Sequence, residues 1–389
     1  MSADAIVFYI FVIFTGAALL ATVGLYARQS LLVVYMLLGV LAGPSVLGLV
    51  SDAEVVKGIA HIGVIFLLFL IGINLPPQKL MQMLGKTSII AGISSVLFMI
   101  IGTLCGIAFG FGVAESLIMG AAMVFSSTII GLKLLPTTVL HHQHIGEIII
   151  SILLLQDILA IFILMLLPAQ WHNGAPWLDM LTMVFSLLGL IAFAYLFERY
   201  VLIKLIRRFN RIHEYIFLVA IGWCLGMAEL AEIAGLSAEV GAFIAGVALA
   251  TSPIALFIGD NLRPLRDFFL VIFFFALGAG FELDMLGSVL WPSLVLALLA
   301  LVLKPLIFKL LLVRYDETDK VGMEVGVRLG QISEFSLFIA VLALELDVIG
   351  QQASYVIQLS TMLTFVFSSY FIVMRYPSPI ALSDELRRD

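Results

Sequence analysis

Gln156 and Asp157 set an amide and a carboxylate side by side inside an apolar run, Ser151 to Phe162, SILLLQDILAIF. The wider run from Gly146 to Leu167 has 22 residues, with Asp157 the twelfth. At about 1.5 Å per residue that is roughly 33 Å of helix, enough to cross a bilayer with the carboxylate near the midplane. A charge at that depth is expensive, so an intramembrane acid faces a water-filled cavity or a partner and takes part in ion or proton movement. The plainer reading is a neutral aspartic acid whose hydrogen bonds hold helices together. Two further polar interruptions lie at mid-span, FSSTIIG (Phe125 to Gly131) and LGQISEFS (Leu329 to Ser336). Both put small polar residues and a glycine where the bilayer is driest. Such segments favour unwound backbone whose freed groups coordinate an ion, provided they line a cavity. Their alternative is a Ser/Thr-rich face that packs helix on helix.

Three more charged residues fall within apolar spans. Glu334 sits in the second interruption and Arg328 about two turns before it, which suggests a local pair or compensation of broken-helix dipoles. Lys304, followed by Pro305, has two readings: it pairs with Asp157 or Glu334, or it snorkels to the membrane surface.

The elements that must position these groups follow from composition. Hydrophobic residues make up 62% of the chain and charged residues 12%, with mean hydropathy +1.18. A soluble core of 389 residues could not hide that much apolar surface, so the chain is an all-α polytopic membrane protein. Spans of crossing length lie at about 5–26, 30–49, 58–75, 87–110, 115–135, 146–167, 178–198, 213–231, 236–252, 265–281, 287–312, 321–344 and 353–375. Thirteen crossings put the termini on opposite sides. Of the 20 Lys and Arg, 17 then fall on the side of the C-terminus, Lys57 alone falls opposite, and Lys304 and Arg328 lie within spans. The positive-inside rule makes the C-terminus cytoplasmic and the N-terminus external. Six spans, a linker and six more give two units of opposite topology, the arrangement of inverted-repeat transporters, with the two interruptions at matched places in spans 5 and 12.

Other features are plainer. MSADAIVF has neither a basic n-region nor a cleavage site and reads as the start of the first span. Cys105 and Cys224 lie in separate apolar runs and read as buried thiols. HHQH, His141 to His144, reads as a solvated turn in preference to a metal site or pH sensor, and Glu198 to Glu214 is a basic segment suited to anionic headgroups. No stretch resembles a nucleic-acid module. No serine with a base, paired aspartates or zinc spacing in the spans supports an intramembrane enzyme.

YMLLGVLAGPSVLGL (Tyr35 to Leu49), HIGVIFLLFLIGINLPPQKL (His61 to Leu80), FSSTIIG, LLLQDILAIF (Leu153 to Phe162) and GQISEFSLFI (Gly330 to Ile339) together resemble the cation:proton antiporter-2 family, in its branch of glutathione-gated potassium-efflux (Kef-type) transporters. The Gln-Asp pair carries most of the resemblance, because sodium-type relatives have Asp-Asp there. The resemblance implies a sodium/proton antiporter-like fold with crossed broken helices in one transmembrane transport domain over 1–389. Its scaffold and dimerisation helices would be about 5–75 and 213–281, its linker 178–198 and its core 87–167 and 287–375. It also implies an inner-membrane homodimer, potassium as the favoured ion, and Asp157 as the shared carrier of cation and proton, exposed alternately as the core slides on the scaffold. Gln156 is then a neutral oxygen donor, Ser127, Thr128 and Ser333 add oxygen ligands, and Glu334, Lys304 and Arg328 supply charge compensation or a second proton site. The oxygen set suits a monovalent alkali cation and needs no cofactor.

There are two departures. Kef-type proteins usually carry Glu where this chain has Asn74, and they continue into a nucleotide-binding regulatory domain where this sequence reads YPSPIALSDELRRD, a short tail over 376–389. The expectation is a short unregulated member or control by a separate cytoplasmic subunit. The alternatives are a sodium/proton antiporter, a gated potassium channel-like pathway, and sodium-coupled organic-anion symport.

Overall fold

The computed structural model describes residues 3–27, 29–50, 53–73, 85–133, 144–167, 176–209, 212–252 and 254–377, and every regular element among them is helical. Asn74, His141, His142 and the tail from 378 lie outside the described residues. The helices are α1 (Ala3–Tyr26), α2 (Leu31–Ala42), α3 (Ala53–Ile73), α4 (Lys86–Ala108), α5 (Val113–Val124), α6 (Thr128–Lys133), α7 (His144–Leu166) and α8 (Pro176–Phe197). They continue with α9 (Ile203–Arg208), α10 (His213–Ile233), α11 (Ala238–Ala250), α12 (Ala255–Ala279), α13 (Leu286–Arg314), α14 (Asp319–Arg328), α15 (Glu334–Glu345) and α16 (Gln351–Arg375). Each of the thirteen expected spans meets a helix or a broken pair. Among the described residues seven stretches are long and apolar enough to cross a membrane whole, and Leu31–Ala42, Gly58–Ile73, Val113–Val124 and Ala238–Ala250 are shorter apolar helices.

Span 5 is α5 and α6 with non-helical Phe125–Ser127 between them, and span 12 is α14 and α15 with 329–333 between them. Both interruptions fall where the small polar residues placed them. Span 7 runs further than expected, because α8 passes through a π-helical turn, Glu198–Leu202, into α9. The first part of the basic segment is therefore a continuation of the linker helix.

The chain divides into two compact units, one of residues 1–51, 83–163 and 277–389 and the other of 52–82 and 164–276. The first holds both breaks. It also takes in α1 and α2, which the family resemblance places with the scaffold. The reason is local: a Cβ on Gly43 would sit 2.9 Å from Ala279 Cα, and Ser45 Oγ donates to Phe281 O at 3.1 Å. In the same unit, Gly326 of α14 lies where a Cβ would come 2.9 Å from Pro305 Cα. Glycine there lets α14 close onto α13 beside Lys304.

The second unit has its own core from α3, α8, α10, α11 and α12. Phe197 stacks on Trp223 at 5.2 Å, and the Trp223 indole donates to Ala245 O at 3.1 Å. The backbones of α3 and α11 meet at paired glycines, where a Cβ on Gly72 would lie 3.0 Å from Gly246 Cα. Small residues at a crossing are how apolar helices gain packing without a hydrophobic difference from lipid. Cys105 and Cys224 are buried free thiols, one in each unit.

Candidate ion-binding site

Residues at the two breaks answer one another. Ser126 Oγ of the first donates to Leu329 O of the second at 2.8 Å, and Ser336 Oγ of α15 donates to Ala122 O of α5 at 2.6 Å. These bonds satisfy carbonyls that an unwound helix leaves open, which water cannot do at this depth. The two second halves start alike. Ser127 Oγ accepts from Ile130 N at 3.2 Å, and Ser333 Oγ accepts from Phe335 N at 3.1 Å as N-cap of α15. Both serines expected as oxygen ligands thus also do capping work, and each retains lone-pair capacity for a second partner.

Charge is sorted between the ends of the broken helices. Asp157, 7% exposed, lies within electrostatic reach of Glu334, 4% exposed at the first turn of α15. Thr128, the first residue of α6, stands close enough to act on the Asp157 carboxylate but outside hydrogen-bond geometry, so its Oγ1 is buried without a partner. The acids therefore gather where helices begin and amide hydrogens point outward.

Lys304 takes the opposite pole. Fully buried, its Nζ donates to Phe125 O at 2.8 Å and to Gln331 O at 2.9 Å, and it lies 5.2 Å from the centroid of the Phe98 ring. These carbonyls follow the C-terminal ends of α5 and α14, where helix dipoles favour a cation. Lys304 thus does not snorkel. Its ammonium is committed to the backbone of both breaks, a geometry neither sequence reading contained. Arg328, also fully buried, pairs with Glu324 one turn earlier, at 2.9 Å.

Gln156 projects from α7 next to Asp157 and is 1% exposed. Its Oε1 accepts from Ser126 N at 2.9 Å, while Nε2 is buried without a partner. The amide oxygen therefore helps to hold the first break open beside any cation it ligates. Sequence reasoning singled out Asp157, Gln156, Thr128, Ser127, Ser333, Glu334, Lys304 and Arg328, and all of them lie in the unit with the breaks. It passed over Ser126, Gln331, Ser336, Thr364 and Ser368. Gln331 Nε2 donates to Arg328 O at 2.9 Å and to Ser127 O at 3.4 Å, and its Oε1 accepts from Ser368 at 3.1 Å. Thr364 Oγ1 accepts from Ile332 N at 3.1 Å. The signal was available in part: Ser126, Gln331 and Ser336 stand inside the two interruptions, and Thr364 and Ser368 lie one helical turn apart.

The sequence profile described as "Sodium/hydrogen exchanger, transmembrane" matches residues 10–374. The chain is 27% identical over 377 residues to K(+) efflux antiporter 5 of Arabidopsis thaliana, covering 92% of this chain and 64% of that one. It is 29% identical over 383 residues to the glutathione-regulated potassium-efflux system protein KefC of Salmonella arizonae, covering 96% and 61%. Similarity to the iron transporter MagA of Paramagnetospirillum magneticum is 29% over 357 residues, covering 89% and 80%. The chain spans only about 64% and 61% of the lengths of the two potassium-efflux relatives. The solved sodium proton antiporter MjNhaP1 from Methanocaldococcus jannaschii superposes with a TM-score of 0.69 at 17% identity, over 95% of this chain and 96% of that one, and so shares its fold. With a profile match across nearly its whole length, the chain belongs to the sodium/hydrogen exchanger family.

Proposed function

We propose that this protein exchanges a monovalent cation, preferentially potassium, for protons across a membrane, with Asp157 binding each in turn. The observation that carries the reading is the burial of Asp157 beside two broken helices whose carbonyl ends are already held by Lys304. With the dipole ends compensated, the charge left to titrate or to bind a cation is carboxylate. One carboxylate cannot hold a proton and a cation together, so competition becomes exchange.

In this reading Gln156, Thr128, Ser127 and Ser333 offer oxygen to the cation, Glu334 holds a further proton or tunes the charge, and Lys304 and Arg328 are fixed. Potassium is favoured because the chain carries Gln156 where sodium-type relatives carry a second acid, and because the potassium-efflux proteins are among its similar relatives. The core helices, about 87–167 and 287–375, slide on the scaffold in elevator-type alternating access, within an inner-membrane homodimer whose C-terminus is cytoplasmic.

The test is proton flux in vesicles holding the purified protein, read with a pH dye on addition of potassium or sodium. A potassium-dependent signal in wild type that Asp157→Asn lacks is the expected result. A larger response to sodium would make the protein a sodium/proton antiporter with the same carrier. Charge movement without coupled proton flux would make it a channel.

A further inference from the structure

Among the described residues Arg328 is the largest fully buried side chain, and it ends α14, directly before the second break. Its Nε and Nη2 both donate to Glu324 Oε1, at 3.0 and 2.9 Å. Nη2 also reaches across to α16's exit, donating to Pro377 O at 2.8 Å, and the guanidinium carbon lies 5.7 Å from the centroid of the Tyr376 ring. The chain leaves α16 at Tyr376 in extended conformation, φ −126° and ψ 153°. A buried guanidinium cannot lose a partner cheaply, because the charge left behind has no water to turn to. Displacement of Tyr376 and Pro377 therefore takes one acceptor and a ring face from Arg328, and its side chain must resettle around Glu324.

What Arg328 does next is fixed by its own carbonyl, which accepts from Gln331 Nε2 at 2.9 Å. Gln331 in turn contacts Ser127 O of the first break, Ser368 of α16, and Lys304 through its backbone oxygen. Thr364, one turn before Ser368, holds Ile332 N. The last helix thus touches the second break at Thr364, at Ser368 and, through Arg328, at its exit.

We propose that Arg328 is a positioning residue that couples the exit of the last membrane helix to the geometry of the cation site. The proposal rests on the exchange reading above for its functional consequence, and on the hydrogen-bond path alone for its structural one. Whatever shifts Tyr376 and Pro377 then acts on the cation site without touching it. Coupling of this kind is established by non-additivity, not by proximity.

The experiment uses wild type, Tyr376→Ala, Arg328→Lys and the double variant in the vesicle assay, and amide hydrogen exchange on the same preparations. Lysine keeps the charge but not the fork that spans Glu324 and Pro377. Tyr376→Ala is expected to raise the half-saturating cation concentration by about fivefold with maximal flux held within about twofold. Arg328→Lys should do the same, and the double variant should be no worse than either. Amides of residues 329–333 should exchange faster in Tyr376→Ala. An unchanged half-saturating concentration in Tyr376→Ala, or effects that multiply in the double variant, would overturn the coupling. Should Arg328→Lys fail to fold, Tyr376→Ala against wild type decides. Should wild type show no cation-dependent flux at all, the exchange reading fails by itself, and hydrogen exchange judges the path: faster exchange at 329–333 upholds it and unchanged exchange sinks it.

Discussion

Between α5 and α6 three residues leave the helix, and between α14 and α15 five do. The shorter break is held by groups that arrive from elsewhere: Gln156 of α7 on Ser126 N and Lys304 of α13 on Phe125 O. The longer one is braced mainly by α16, through Thr364 on Ile332 N and Ser368 on Gln331. Two similar interruptions therefore differ in what they can sense. The first shares a side chain with the helix that carries Asp157, so events at the carboxylate reach its backbone directly. The second is tied to α16, so a shift of that helix reaches its backbone. Lys304 belongs to both, because each gives it one carbonyl.

The largest effect expected from breaking this comparison is at Asp157. Asp157→Asn nearly preserves shape and removes the group that titrates, so exchange should vanish while the protein remains folded and soluble in detergent. Retained cation-dependent proton flux in that variant would falsify the carrier assignment. Lys304→Met should come next. It leaves Phe125 O and Gln331 O buried without their donor, at about 1–3 kcal/mol for each stranded acceptor, partly offset by no longer burying a charge. A fall in thermal stability of about 2 kcal/mol, together with loss of transport, is expected from melting curves and flux. A variant as stable as wild type would mean that the breaks do not depend on the ammonium.

A paired test separates the two breaks. Gln156→Glu keeps an acceptor within reach of Ser126 N–H and adds a charge beside Asp157. It should therefore change cation preference, measured as the ratio of potassium to sodium half-saturation, with little change in melting. Thr364→Val removes the acceptor for buried Ile332 N and should lower stability by about 1–3 kcal/mol while leaving that ratio alone. Reversed outcomes would exchange the roles assigned to the two breaks.

Much of this was legible in the residues. The apolar stretches give the all-helical membrane architecture, because span length is set by the bilayer and not by tertiary contacts. The breaks were legible because FSSTIIG and LGQISEFS are too polar to continue as lipid-facing helix. The destination of Lys304 was not. A lysine seeks a carboxylate or the interface by default, and its choice of two carbonyls depends on α13 passing close to both breaks, which no local pattern encodes. The same holds for Gln331, a polar residue in a polar stretch until Ser368, Arg328 and Ser127 are placed around it. The grouping of α1 and α2 with the unit of the breaks also rests on close backbone contacts, such as Gly43 on Ala279, that sequence spacing does not reveal.

The smallest expected effects test whether the matched serines are matched in function. Ser127 and Ser333 each cap a half-helix through the hydroxyl oxygen, and loss of such a cap costs about 0.5–2 kcal/mol. If capping is all they do, Ser127→Ala and Ser333→Ala should lower stability by similar amounts and leave cation half-saturation unchanged. The geometry argues for a difference. Ser127 precedes Thr128, whose buried hydroxyl stands beside Asp157, whereas Ser333 Oγ lies 3.5 Å from Glu334 Oε2. We expect Ser127→Ala to raise cation half-saturation by about threefold to tenfold, the scale of losing one oxygen contact of about 1 kcal/mol. Ser333→Ala should raise it less, because the Ser333 hydroxyl is shared with Glu334, and should lower stability by the loss of the cap. Equal and purely structural losses would confine cation binding to Asp157, Gln156 and Thr128, and would make the second break a scaffold for the first.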